Sequence, residues 1–171
     1  MTSLVAARSA LGALEGRPFT AVGRAATLAW FAFGDEVPWV NYRGEHTTRP
    51  ELALHLQCRW RLVRGATALV QKGDLYVPGA RAGAAFDTGA KIGTSRFDDR
   101  VETVSRIIAA EVPVVEHVRI GDAFDLQLTL SSGVSLEVFP EGHEGREDWR
   151  FLSMAGDGHH YVVENGSVYA V

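Results

Sequence analysis

Four polar side chains recur at every second position, His55, Gln57, Arg59 and Arg61, and they are the densest reactive group on any short stretch of the chain. Arginine guanidiniums take carboxylate or phosphate through two parallel hydrogen bonds, and a histidine between them gives or accepts a proton near neutral pH. An open row of this kind is a site for an anion or a partner. The ordinary alternative is a solvated or helix-covered sheet face whose charges are neutralised across strands by Glu51, Asp125 or Glu137. Asp74 joins the candidates because, with His55 and Glu137, it would complete an acid/base set if the fold brought the three together. The candidate ligand-binding residues are therefore His55, Gln57, Arg59, Arg61 and Asp74, with none assigned a catalytic role.

Other groupings carry less. Lys91-Ile92-Gly93-Thr94-Ser95 precedes a helical stretch, and a helix start with a glycine and a lysine can hold an anion. The phosphate-loop spacing is missing, however, and Asp98 and Asp99 in the first turn would repel phosphate. Glu141, His143, Glu144, Glu147, Asp148, His159 and His160 are metal-ligand types, but their spacings match no metal motif. The Gly-x-Ser-x-Gly elbow of hydrolases is absent and Cys58 falls in an apolar register, so a classical nucleophile has little support. No cofactor and no metal are expected. Trp30, Trp39, Tyr42, Trp60, Tyr76 and Trp149 would line a pocket or, as large aromatics near strands more often do, fill a core.

The elements that must position these residues follow from periodicity. Leu52, Leu54, Leu56, Cys58, Trp60 and Leu62 alternate with Glu51, His55, Gln57, Arg59 and Arg61, the period of two of a strand with one buried face. This reads as one strand, central to the fold, and Arg64-Gly65-Ala66 turns it into a partner over Thr67 to Gln71. Upstream, Leu4, Ala7, Leu11 and Leu14 mark a helix with Ser3 as its cap, stopped by Gly16 and Pro18. Ala21 to Phe33 reads as a single strand, apolar on both faces, and Gly34 to Pro50 as a long loop. Downstream, Gly79 to Gly93 is a mobile Gly/Ala-rich loop. A helix from about Arg96 to Glu111 is capped by Ser95 and ended by Pro113.

Alternation then predicts a meander, Val114 to Ile120, Phe124 to Leu130 and Val134 to Val138. Three short strands follow at Trp149 to Leu152, Tyr161 to Val163 and Val168 to Val171, with turns at Gly156-Asp157-Gly158 and Asn165-Gly166. Strands joined by short turns make an antiparallel sheet. The expected fold is α+β: a mainly antiparallel, twisted sheet, a half-barrel or two-layer sandwich, with one or two packed helices, in a single domain over residues 1–171.

The strings Leu54-His55-Leu56-Gln57-Cys58, Trp60-Arg61, Gly73-Asp74-Leu75-Tyr76, Leu136-Glu137-Val138-Phe139-Pro140 and Trp149-Arg150-Phe151 resemble a broad family of uncharacterised bacterial proteins, as does Gly93 with Phe97-Asp98. The resemblance spans roughly Leu28 to Val163 and implies an intact domain but no activity. Arg59 stands where the family has a small or proline-like residue, and Phe86-Asp87 where it has tryptophan-aspartate.

Composition bounds the function. With 17 basic and 21 acidic residues the net charge is −4, so no excess positive charge invites a nucleic-acid backbone. One cysteine excludes an internal disulfide and fits the cytoplasm, and neither an export leader nor a run long enough to span a bilayer stands out, so no membrane partner is expected. The leading expectation is a non-catalytic interaction or small-ligand-binding module, of the kind that masks a toxin partner. Two alternatives stand beside it. One is a small enzyme or sensor with a pocket around His55 and Arg61, walled by the loop Gly79 to Gly93; the other is a homo-oligomeric structural protein, such as a homodimer joined through sheet edges.

Overall fold

The structure, a computed structural model, describes residues 4–87, 91–154 and 160–171. In chain order its elements are α1 (Leu4–Leu11), β1 (Phe19–Ala25), β2 (Leu28–Val40), β3 (His46–Leu56), β4 (Arg59–Arg64), β5 (Thr67–Gln71), α2 (Arg96–Glu111), β6 (Val115–Ile120), β7 (Leu126–Leu130), β8 (Val134–Phe139), β9 (Glu147–Ser153), β10 (His160–Glu164) and β11 (Ser167–Ala170). A 3-10 turn follows α1 at Gly12–Leu14, and another at Lys72–Tyr76 follows β5. The strands form two antiparallel sheets, one ordered β1-β2-β3-β9-β10-β11 and the other β5-β4-β8-β7-β6. This is the expected α+β class, realised as two layers over a shared core.

The layers meet at two places. Pro18 bridges to Val114 ahead of β1 and β6, and the chain itself passes from β3 to β4 through Gln57 and Cys58. At that passage both backbone N–H groups donate to the Asp148 carbonyl, at 2.9 and 3.0 Å. The alternation from Leu52 to Leu62 therefore belongs to two strands in two sheets, not to one central strand. Leu52, Leu54 and Leu56 point into the core from one layer, and Trp60 and Leu62 point into the same core from the other. The apolar set faces inward on both sides of the corner, so its period of two runs through without a break.

Two further expectations are corrected. Ala21 to Phe33 is a hairpin, not one strand: β1 and β2 pair from Phe19↔Phe33 to Ala25↔Leu28, and Ala26 takes a φ of 52° in the turn. An alanine in that conformation gives no turn signal in sequence. Gly34 to Pro50 is not a loop but a two-stranded arm, with β2 and β3 paired out to Val40↔His46. Just beyond Phe33 and Leu52 the Gly34 N–H still donates to the Pro18 carbonyl at 2.9 Å and the Glu51 carbonyl accepts from the Met154 N–H at 2.8 Å. Farther out, among the described residues, these strands pair only with each other, so Pro38 and Pro50 give up no ladder bond to an outer neighbour. The arm exposes Trp39, Val40 and Tyr42, and the Arg49 guanidinium lies 3.2 Å from the Trp39 ring centroid.

Elsewhere the expected elements form. Ser95 caps α2 by a reciprocal box in which its hydroxyl accepts from the Asp98 N–H at 3.3 Å and the Asp98 carboxylate accepts from the Ser95 N–H at 2.9 Å. Gly65 takes a φ of 56° in the β4–β5 turn, and Asn165-Gly166 joins β10 to β11 with φ of 47° and 65°. Ser3, His159 and the turn Gly156-Asp157-Gly158 lie outside the described residues, as does part of the loop Gly79 to Gly93. Among the described residues no helix is long and apolar enough to cross a membrane.

Trp60 ties the core together. Its ring meets Phe31 of the other sheet edge-on, with centroids 5.2 Å apart, and Phe97 of α2 at 6.0 Å. Helix α2 lies across β1 and β5, the edge strands of the two sheets, and one buried ion pair fixes it there. Arg24 of β1 donates to both carboxylate oxygens of Asp98, each at 2.9 Å, and its remaining donors reach the Lys91 and Ala26 carbonyls. Every polar partner is satisfied, the condition under which a buried charge pair is tolerable. Burial pushes the Asp98 carboxyl up, but Arg24 and Ser95 outweigh it and hold the group well below the usual carboxylate range.

Trp60→Ala is expected to cost about 3–5 kcal/mol, the range for deleting a core aromatic, measured by urea unfolding; parental stability would refute its place at the centre of the core. Asp98 has a depressed folded pKa, so its contribution is complete above the unfolded carboxylate value of about 3.9 and disappears as pH falls toward the folded value. Acid titration of stability should therefore drop less steeply below about pH 4 in Asp98→Asn than in the parent, and identical slopes would refute the assignment.

Candidate functional site

The five candidate residues do not share a surface. His55 is half-buried on the outer face of the six-stranded sheet. Gln57 sits in the corner, and Arg59 and Arg61 are on the outer face of the five-stranded sheet. There Arg61 pairs with Glu137 directly across the strands, as the ordinary reading of the row required. Arg59 lies over the Phe139 ring, 4.9 Å from its centroid. Asp74 is buried in the 3-10 turn, where its carboxylate accepts from the Gln71 N–H at 2.9 Å and from Arg100 of α2 at 3.0 Å. It ties that turn to the helix. His55, Asp74 and Glu137 therefore form no acid/base set, because the corner and the turn separate their elements.

Around His55 the sheet builds a hollow, but its walls are not the expected ones: among the described residues neither Arg61 nor the loop Gly79 to Gly93 lines it. The cross-strand register sets Ala21, Ala32 and Ala53 in one row across β1, β2 and β3, and Gly23, Trp30, His55 and Arg150 in the next across β1, β2, β3 and β9. The alanines make a floor, since methyl groups leave open the depth that larger side chains would fill. Gly23 makes room for a wall: a Cβ there would come within 2.2 Å of the Trp30 ring, so the indole lies flat across the glycine. Opposite, β2 bulges at Gly34, where φ is +80° and the register with β3 shifts between Phe33 and Glu36. The bend brings Glu36 and Pro50, at the root of the arm, to the rim. Ala21, Trp30, Ala32, Glu36, Pro50, Ala53 and His55 enclose a cavity of about 360 Å³.

The charges behind this hollow are mostly spoken for. Arg150, the cross-strand partner of His55, is held by Glu147 at 2.7 Å. Burial lowers the His55 pKa; Glu147 acts against that shift, and Arg150 and His160 add to it, so the imidazole is neutral at neutral pH. His160, two strands away in the alanine row, is lowered first by burial and then by Arg150 and Arg49. Among the described residues neither imidazole has a hydrogen-bond partner. The hollow thus combines an indole, alanine methyls, a proline ring, a neutral imidazole and one carboxylate, which suits a compact apolar ligand with a polar end.

Catalytic and metal chemistry finds less here. Among the described residues no hydroxyl or thiol lines the hollow; Cys58 is buried away from it, its thiol pushed up to about 12 by burial and by Asp148. Among the described residues no three of His, Cys, Asp or Glu gather to hold a metal ion. On the other sheet two further hollows flank Phe139, one of about 420 Å³ bounded by Arg59, Arg61 and Gln71 and one of about 240 Å³ bounded by Arg119, Asp125 and Glu137; both are lined mainly by polar and charged side chains. Of the residues that sequence reasoning missed, only Gly23 left a trace, since a glycine inside a strand marks close approach of another group.

Gly23→Ala is expected to drive the Trp30 indole off the sheet, because the new methyl has nowhere else to go. Changed Trp30 fluorescence and a lowered melting temperature would register it; a variant indistinguishable from the parent would show that the indole does not rest on Gly23. Comparison with protein-family models, with curated proteins and with solved structures finds no match.

Proposed function

We propose that the protein is a non-catalytic small-ligand-binding module whose ligand lies on the outer face of the six-stranded sheet, over the alanine floor and against Trp30. The single observation that carries this reading is the row Ala21, Ala32 and Ala53 beneath a half-buried tryptophan. A sheet face that served only packing would be filled by larger side chains or covered by a helix, and one that served only solubility would carry charge. The hollow of about 360 Å³ also falls in the range, about 300–1,000 Å³, typical of small-molecule sites.

The enzyme alternative has weaker support. It needed His55 and Arg61 in one pocket, and they stand on different sheets. His55 and Glu36 both line the hollow, yet no hydrogen bond joins them among the described residues, so an oriented base has no orienting partner.

The test is a fragment screen read at the Trp30 indole N–H by protein NMR. Compact apolar fragments should shift that resonance in the parent and fail to do so in Ala53→Leu, whose added side chain enters the hollow without touching the core. The reading is overturned if no fragment moves Trp30 at millimolar concentration, or if Ala53→Leu, folded and melting like the parent, binds equally well.

A further inference from the structure

Resting on that reading of the hollow, we infer that its ligand carries a cationic nitrogen, an ammonium on a compact apolar body, received by Glu36. The inference comes from the pairing of charges along this face. Glu51, on β3, is held by Arg17 at 3.0 Å, and Glu147, on β9, by Arg150 at 2.7 Å. Glu164, on β10, accepts from the Tyr169 hydroxyl at 2.8 Å. Glu36 lines the hollow and has no ion pair or hydrogen bond among the described residues, although an arginine is close in sequence to its cross-strand neighbour Pro50. That residue, Arg49, lies over Trp39 instead and makes no ion pair among the described residues.

Among the described residues the lining therefore presents one full charge, and it is negative. The imidazole on the far wall adds none, because burial keeps His55 neutral. A carboxylate ligand placed there would meet Glu36 with no lining cation to offset the repulsion. A neutral ligand would leave the carboxylate to water. An ammonium gains a charge-assisted hydrogen bond at the rim while its apolar body covers the alanines and the indole face, which itself favours cations. Glu36 lies just past the bulge at Gly34, at the root of the arm, so the carboxylate sits at the edge of the cavity rather than on its floor.

The experiment compares three phenyl probes of similar size and different charge, phenethylammonium, phenethyl alcohol and hydrocinnamate, each titrated against the Trp30 indole resonance of the parent, Glu36→Gln and Ala53→Leu. The expected result is that the ammonium binds about tenfold tighter than the alcohol, the scale of one charge-assisted hydrogen bond at a partly open site. Glu36→Gln, with an unchanged melting temperature, should erase that preference while leaving the alcohol's affinity intact. Equal binding of all three probes, blocked by Ala53→Leu, would overturn the charge inference and leave the binding hollow standing. Preference for hydrocinnamate would overturn it. Binding of none would overturn the hollow and the inference together.

Discussion

The Asp148 residue holds the corner on which the architecture turns. Its backbone carbonyl accepts from both Gln57 and Cys58, and its buried carboxylate accepts from the Glu141 and Gly142 N–H groups at 2.8 and 3.2 Å. A chain that leaves one sheet for another strands backbone donors at the bend, and each would cost about 1–3 kcal/mol if buried without an acceptor. One residue at the start of β9 meets that need for the bend and for the incoming loop at once. Trp149 extends the anchorage, its indole N–H donating to the Phe124 carbonyl at 3.0 Å beside the meander.

The corner also decides which faces are available. Because β3 and β4 turn their apolar sides toward one core, their polar sides are sent to opposite surfaces of the molecule, and His55 is parted from Arg59 and Arg61. The two outer faces then differ in kind. On the five-stranded sheet, Gln71, Arg61, Glu137, Gln127 and Arg119 lie in one cross-strand row, with Arg61 on Glu137 and Arg119 on Gln127. On that face Glu137 neutralises Arg61, while Arg119 is held by a neutral amide and Arg59 lies over the Phe139 ring. On the six-stranded sheet the corresponding surface near β1 to β3 is methyl, indole and imidazole, with a carboxylate only at the rim. A surface with little to neutralise and apolar area to cover is the better candidate for an apolar ligand.

Much of the fold was legible because its signals are local. The helix α2 announces itself by Ser95 and Asp98 three residues apart and by apolar spacing through Val104 and Ile108; the meander announces itself by alternation between glycine-bearing or polar turns. What the sequence did not disclose needed knowledge of three-dimensional neighbours. Alternation states that side chains face a core and is silent on which sheet carries them, so Leu52 to Leu62 looked like one strand. The arm was hidden by Pro38, Pro50 and its charged residues, which argue against a central strand but are tolerated in a ribbon with open edges. Of the candidate site His55 and Trp30 were legible, since an imidazole and an indole stand out by type, whereas Ala21, Ala32 and Ala53 do so only once registered side by side.

A pocket on a sheet is a matter of what is missing, and small residues leave their mark only through register. Alanine has low strand preference, and glycine has less; placing Gly23 and the alanines in β1 to β3 sacrifices packing on that face. The core compensates from the other side, where Phe19, Phe31 and Phe33 stack and tilt against one another at 5.4 to 6.1 Å. Around the hollow, strands β1 and β2 thus carry their stabilising aromatics on the inner face and Ala21, Gly23 and Ala32 on the outer one, with Trp30 as the large side chain among them. That exception lies flat only because Gly23 lets it. The division of labour between the faces is the physical reason a sheet can stay well packed while keeping a hollow open on its far side.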